Sequence, residues 1–183
     1  MSRTPHDPAR LLTYLRVHTD RMEAHLKEGF VQKSALVVQS FPGESICIKG
    51  HLSCKGEILI SVIKRLVIVD GGSEKNPLVQ TKSYSYNAFV AGWGTFLRHD
   101  NSHEREGHPD NHHYHEFDWR TEEELLSSPV WCGEKNWPNL SEFINKANDW
   151  YDRHVDELPN PEGVVLNLEP YACRIHDLVD QTP

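Results

Sequence analysis

Residues 45–70 read SICIKGHLSCKGEILISVIKRLVIVD, and the way this stretch divides decides the fold. It is rich in Ile, Val and Leu, side chains that suit a pleated, half-buried surface. Apolar and polar residues alternate in places, the two-residue period of a strand. Lys55-Gly56 punctuates the middle and Gly71-Gly72 closes the end, so the chain is expected to reverse there. The second half, EILISVIKRLVIVD, is long enough for one bent strand or two. Lys64-Arg65 interrupts its apolar run, which predicts a bend or an exposed edge at that point.

The pattern extends outward in both directions. Upstream, SALVVQSF at 34–41 is another short apolar run, closed by Pro42-Gly43. Downstream, LVQTKSYSYNAFV at 78–90 alternates. Strict alternation places Val79, Thr81, Ser83, Ser85 and Asn87 on one face, with Gln80, Lys82, Tyr84, Tyr86 and Ala88 on the other. GWGTFLRHD at 92–100 and HYHEFDW at 113–119 supply two further strands around a polar loop, 101–112, whose Gly107, Pro109 and Asn111 disfavour a helix. Together these runs predict an antiparallel meander.

Helices are expected at the ends. Residues 7–28 carry Leu11, Leu15, Met22 and Leu26 at three- and four-residue steps, with His18 on the same stripe. Asp7 can cap this helix and Pro8 suits its first position. Its apolar face would pack on the sheet or on a second copy of the chain, a homodimer. DWRTEEELLSS at 118–128 can start a short helix capped by Asp118 or Thr121. A stronger one spans 139–154, where Asn139 and Glu142 have capping-box spacing. Leu140, Phe143, Ile144, Ala147, Trp150 and Tyr151 make its apolar stripe. The expected fold class is therefore α+β. An antiparallel sheet of about five to seven strands is flanked by an N-terminal helix and one or two C-terminal helices. The organisation reads as an N-terminal helix over 1–30, an α+β core over 31–155 with a His-rich loop at 99–115, and a C-terminal extension over 156–183.

The chain has 183 residues and a formal net charge of −8, with 38% hydrophobic and 25% charged residues. That length suits one domain with trimmings. The charge excludes a uniformly basic nucleic-acid glove but not a local basic patch. Cys47, Cys54, Cys132 and Cys173 form no C-x-x-C pair, and the opening residues lack the apolar core of a secretory signal. Reduced thiols and a cytoplasmic location are expected. No run approaches the roughly 20 apolar residues that span a bilayer, so no membrane contact is expected.

The chemistry concentrates in FLRHDNSHEREGHPDNHHYHEFDW, residues 96–119. Six of the twelve histidines fall between His99 and His115. In a hairpin of 96–100 with 113–117, Arg98 and Asp100 share one face and Leu97 and His99 the other. Likewise His113, His115 and Phe117 are separated from His112, Tyr114 and Glu116. Three readings stand at this point. The first is a metal centre. Imidazoles bind zinc and other divalent transition metals, and His108, His112, His113 and His115 are the candidate ligands. The second is metal-free acid–base chemistry on RNA, which needs no cofactor. Imidazole exchanges protons near neutrality. His99, His103, His113 and His115 would supply base and acid, Asp100 would assist, and Arg98 would hold the phosphate. Tyr84, Tyr86 and Asn101 would contact substrate. The third is a wet polar loop on a non-enzymatic subunit or adaptor of a defence or regulatory complex.

The order of motifs resembles the TumE-type toxin family of prokaryotic toxin–antitoxin loci. The likeness rests on GHLSCKGEILISVIKRLVIVDGG, VQTKSYSYNAFVAG, TFLRHDNSHEREGHPDNHHYHEFD and PNLSEFINKANDW, covering roughly residues 49–153. Tyr84-Ser85-Tyr86, Arg98, Asp100-Asn101, His103, His108-Pro109, His112, His113 and His115 carry it. One departure is His99, where the family tends to an aromatic residue between Arg and Asp. The resemblance implies a toxin whose partner is an antitoxin, or another protein encoded by a neighbouring gene. Toxins of this size commonly cut RNA, so RNA is the expected substrate.

Overall fold

The computed structural model describes residues 7–41, 45–73, 75–101, 111–126, 129–133 and 136–171. Two helices lie on one face of a large antiparallel sheet. In chain order the strands are β1 (Ala9–Arg10), β2 (Val31–Ser34), β3 (Val37–Phe41), β4 (Ser45–Cys54), β5 (Ile58–Ser73), β6 (Asn76–Val90), β7 (Thr95–Asp100), β8 (His113–Glu116) and β9 (Val130–Trp131). The helices are α1 (Leu11–Glu28) and α2 (Leu140–His154). The α+β class is as expected. Among the described residues the sheet has nine strands, in the order β2-β4-β5-β6-β7-β8-β9, with β3 also on β4 and β1 also on β6. The two-residue strands β1 and β9, too short to register as a periodic pattern, extend it beyond the expected five to seven.

The quoted stretch resolves into β4 and one long β5, joined by a turn in which Gly56 has φ 71° and Glu57 φ 55°. That left-handed geometry is one glycine adopts without a Cβ clash. Gly50 has φ 140°, and a Cβ there would lie 2.3 Å from the Ala35 carbonyl oxygen. The chain can therefore cross between β2 and β3 against β4 only because this residue has no side chain. Cys47 and Cys54 sit an odd number of residues apart, so their side chains leave opposite faces. Both are free, as is Cys132. Cys173 lies outside the described residues.

Alternation in β6 is broken. Arg65 pairs with Ser83 but Leu66 pairs with Thr81, so Lys82 is an extra residue. A bulge of this kind shifts the side-chain parity by one. Val79 therefore packs with Leu11 and Tyr14 of α1, and Tyr84, Tyr86 and Ala88 face the same way. The single-face set Val79, Thr81, Ser83, Ser85, Asn87 is thus divided. Lys64 also departs from expectation. The irregularity expected at Lys64-Arg65 is the register shift at Arg65/Leu66, but Lys64 is not an exposed edge residue; it lies beneath α1, only 7% exposed.

Helix α1 starts at Leu11, not near Asp7, because Ala9 and Arg10 pair with Val79 and Leu78. Asp7 does not cap it; Arg10 occupies the N-cap with no side-chain bond. Its buried face runs through Met22 and His25, while Leu26 is exposed. Residues 118–126 form no helix. Glu122 has φ 59°, and Phe117 bridges back to Glu124.

Helix α2 follows the sequence closely. The Asn139 side chain accepts from the Ser141 and Glu142 amides at 3.0 and 3.2 Å, and Glu142 accepts from the Asn139 amide at 2.8 Å. Leu140, Phe143, Ile144, Ala147 and Tyr151 are buried against Tyr86, Ala88, Phe96 and Leu97 of the sheet. Loss of the cap, Asn139→Ala, is expected to cost about 1 kcal/mol, read as a lower urea midpoint at unchanged m-value. An unchanged midpoint would mean that packing alone holds this helix end. No helix among the described residues is long and apolar enough to cross a membrane.

Candidate functional site

The sheet face opposite the helices is polar in its centre. Strands β7 and β8 pair antiparallel, with Asp100 opposite His113, Arg98 opposite His115, and His99 opposite Tyr114. Directly paired residues project to the same face. Arg98, Asp100, His113 and His115 therefore form the corners of one cross-strand square, as their spacing predicts.

Within the square the bonds are specific. Arg98 Nε donates to Asp100 Oδ2 at 2.7 Å. His113 Nε2 lies 3.5 Å from Asp100 Oδ1. His113 Nδ1 donates to the Asn111 carbonyl at 2.7 Å. His115 Nδ1 bonds Glu124, which the Phe117–Glu124 bridge brings alongside. The His113 and His115 rings stand edge to face, 5.0 Å apart. Each imidazole thus has a carboxylate beside it; His115 is held through Nδ1, which leaves its Nε2 for other contacts, whereas His113 has one nitrogen toward Asp100 and the other on the Asn111 carbonyl. Exposure is graded: the Asp100 side chain is 0% exposed, His113 3%, His115 20% and Arg98 36%.

The square belongs to a longer polar row. His51 pairs with Ser61, Ser61 with Asn87, Asn87 with Arg98, and Arg98 with His115. His51 Nε2 and Ser61 Oγ are 3.0 Å apart. Asn87 donates to Thr95 Oγ1 at 3.2 Å, and its side-chain Oδ1 is buried with no hydrogen-bond partner among the described residues. A cavity of about 140 Å³ opens along this row, between Ser61, Asn87, Trp93 and Glu122.

Several expected site residues lie elsewhere. His99 is fully buried on the helix-facing side, stacked on Tyr114 and edge-on to Phe143. Burial first, and the Lys146 ammonium second, push its pKa down to about 3, so it is a neutral core imidazole and not an acid–base group. Tyr84 and Tyr86 are buried on that same side; Tyr84 stacks on Trp137 at 4.7 Å and Tyr86 meets Phe143 at 5.4 Å. Neither offers a ring to a base. Asn101 spends both ends of its amide on β6, accepting from the Tyr84 amide at 2.8 Å and donating to the Lys82 carbonyl at 3.0 Å. It extends the β6–β7 pairing and does not face a substrate.

The candidate metal ligands are divided in the same way. His112 stacks on Trp137 and lies beside Tyr84 on the core side, away from His113 and His115. Among the described residues no three His, Cys, Asp or Glu side chains are placed to hold a metal ion. His103 and His108 lie outside the described residues. Sequence reasoning missed Glu124, which a helix reading of 118–128 hid, and it missed His51, whose partnership with the row depends on three successive strand registers. Comparison with protein-family models, with curated proteins and with solved structures finds no match for this chain.

Proposed function

We propose that this chain cleaves RNA by metal-free histidine acid–base chemistry, with His115 and His113 as the proton-transfer pair and Arg98 as the phosphate contact. The observation that carries this reading is the cross-strand square, in which two carboxylate-oriented imidazoles stand 5.0 Å apart beside a part-exposed guanidinium.

Cleavage of an RNA phosphodiester needs three things: a base at the 2′-hydroxyl, an acid at the leaving 5′-oxygen, and positive charge on the phosphate in the transition state. His115 has the greater access and takes the base role through Nε2, with Glu124 stabilising the imidazolium that forms. His113 keeps Nδ1 on the Asn111 carbonyl and supplies the proton from Nε2, whose 3.5 Å contact with Asp100 gives way to the leaving oxygen. Arg98 uses Nε on Asp100 and keeps its two terminal nitrogens for the non-bridging oxygens, the geometry in which guanidinium binds phosphate best. The polar row toward Ser61 and His51 gives the strand a path across the sheet. The likeness to TumE-type toxins adds an antitoxin encoded by a neighbouring gene as the partner.

The test is cleavage of a defined single-stranded RNA by the purified chain in the presence of a chelator. Products ending in a 2′,3′-cyclic phosphate are expected. His115→Ala is expected to lower the rate by about 10²–10⁴, and Arg98→Ala by about 10² or more. Absence of cleavage by the native chain, or a rate unchanged in His115→Ala, would remove this reading and leave the polar face as a surface for a protein partner.

A further inference from the structure

On the other side of the sheet, α1 does not seal against β5. A cavity of about 170 Å³ lies between them, and Lys64 projects into it with Arg21 and His18 of α1 close by. Its floor and walls are apolar, formed by Met22, Ile48 and Val62. Lys64 is more than nine-tenths buried. Among the described residues neither Lys64 nor Arg21 forms an ion pair. The ammonium stands 5.5 Å from the Tyr14 ring centre and 5.7 Å from that of Trp137. Asp7 is a carboxylate in the lining.

A buried ammonium facing open space, with a second cation beside it, is an arrangement a fold retains at a cost in stability. Burial, and repulsion from Arg21, push the Lys64 pKa down to about 8. The same two cations and burial lower His18, so that ring adds a neutral hydrogen-bonding group. The first turn of α2, at Asn139 and Ser141, also borders the cavity and turns the positive end of a 15-residue helix toward it. Lys64 and Arg21 in the lining favour an anion and Asp7 opposes one; Glu142, which accepts from the Asn139 amide, offsets part of the helix end.

We infer that the cavity between α1 and β5 binds a small organic anion, its acidic head on Lys64 and Arg21 and its apolar body against Met22, Ile48 and Val62. The volume sets the size: an apolar cavity of roughly 150 Å³ accepts one benzene ring, so the ligand is a carboxylate of about that bulk. This site lies on the opposite face from the histidine square and stands independently of the nuclease reading.

Benzoate is the probe, with benzyl alcohol as its uncharged counterpart and inorganic phosphate as the bare anion. Thermal melting of the full chain is followed with each at ~10 mM. Benzoate is expected to raise Tm and to perturb Trp137 fluorescence, while benzyl alcohol and phosphate do neither. Lys64→Met is expected to abolish the benzoate shift, and Arg21→Gln, on the exposed side of α1, to weaken binding about tenfold. Lys64→Met replaces a desolvated charge with an apolar chain of similar length, so the fold is retained, which circular dichroism checks. A benzoate shift that survives Lys64→Met, an equal shift with benzyl alcohol, or no shift at all would overturn the site. An equal shift with phosphate would overturn its assignment to an organic anion.

Discussion

Between pH 6.5 and pH 3 the chain is expected to lose about 4–5 kcal/mol of stability through one side chain, His99. The ring is fully buried, and its Nδ1 has no hydrogen-bond partner among the described residues. Its Nε2 lies 3.3 Å from the Lys146 ammonium, so that nitrogen must accept and cannot carry a proton. In the unfolded chain the imidazole titrates at its ordinary value of 6.5, whereas the folded value lies near 3. Above pH 6.5 both states are neutral and the group has no effect. Below it the unfolded state binds a proton that the folded state refuses, so stability falls as pH falls and levels off only below about 3. Urea unfolding at pH 7 and near pH 4.5 measures this. The native chain is expected to lose about 3 kcal/mol more than His99→Phe between those points, because Phe keeps the stack on Tyr114 and cannot charge. Parallel losses in the two proteins would show that acid acts elsewhere.

Asp100→Ala is expected to cost about 3–5 kcal/mol, the range for breaking a buried charged pair. Asp100 is fully buried, and its partners include Arg98 at 2.7 Å and His113 at 3.5 Å. Its removal leaves the His113 ring facing a void and releases the Arg98 side chain from the sheet. Arg98 is partly exposed and can turn to water, which places the cost at the lower end of that range. The urea midpoint reads the stability. A double-mutant cycle with Arg98→Ala reads how much belongs to the pair. In the RNA assay the same substitution is expected to lower the rate even at temperatures where the variant is fully folded, since Arg98 loses its bond and His113 keeps only the Asn111 carbonyl. A loss below about 1 kcal/mol would mean the carboxylate contributes little to holding the site together.

Much of the fold was legible because it is local. The Asn139–Glu142 box and the stripe from Leu140 to Tyr151 specify α2 by short-range hydrogen bonds and a 3.6-residue period. The branched apolar runs of β4 and β5, with Gly56 between them, specify a hairpin by the same kind of local rule. The split of the β7 and β8 histidines between two faces was also readable, because strand side chains alternate with a fixed period of two.

What the period does not contain is which face becomes the interior. That was decided by α1 and α2, which settle on one side and bury Tyr84, Tyr86 and His99, with His112 partly covered beside them, while Arg98, His113 and His115 lie on the other. The bulge at Lys82 is equally silent in sequence, since any residue can be the extra one, yet it reverses the facing of β6. The burial of Lys64 follows from the same choice of side: a cation that reads as an edge residue is covered when a helix lands on it. Glu124 reaches His115 only because residues 118–122 turn instead of continuing as a helix. Sequence by itself determined the elements and the sharing of faces, through interactions between near neighbours. Tertiary structure decided which side chains are desolvated and which histidines converge, because those depend on contacts between residues far apart in the chain.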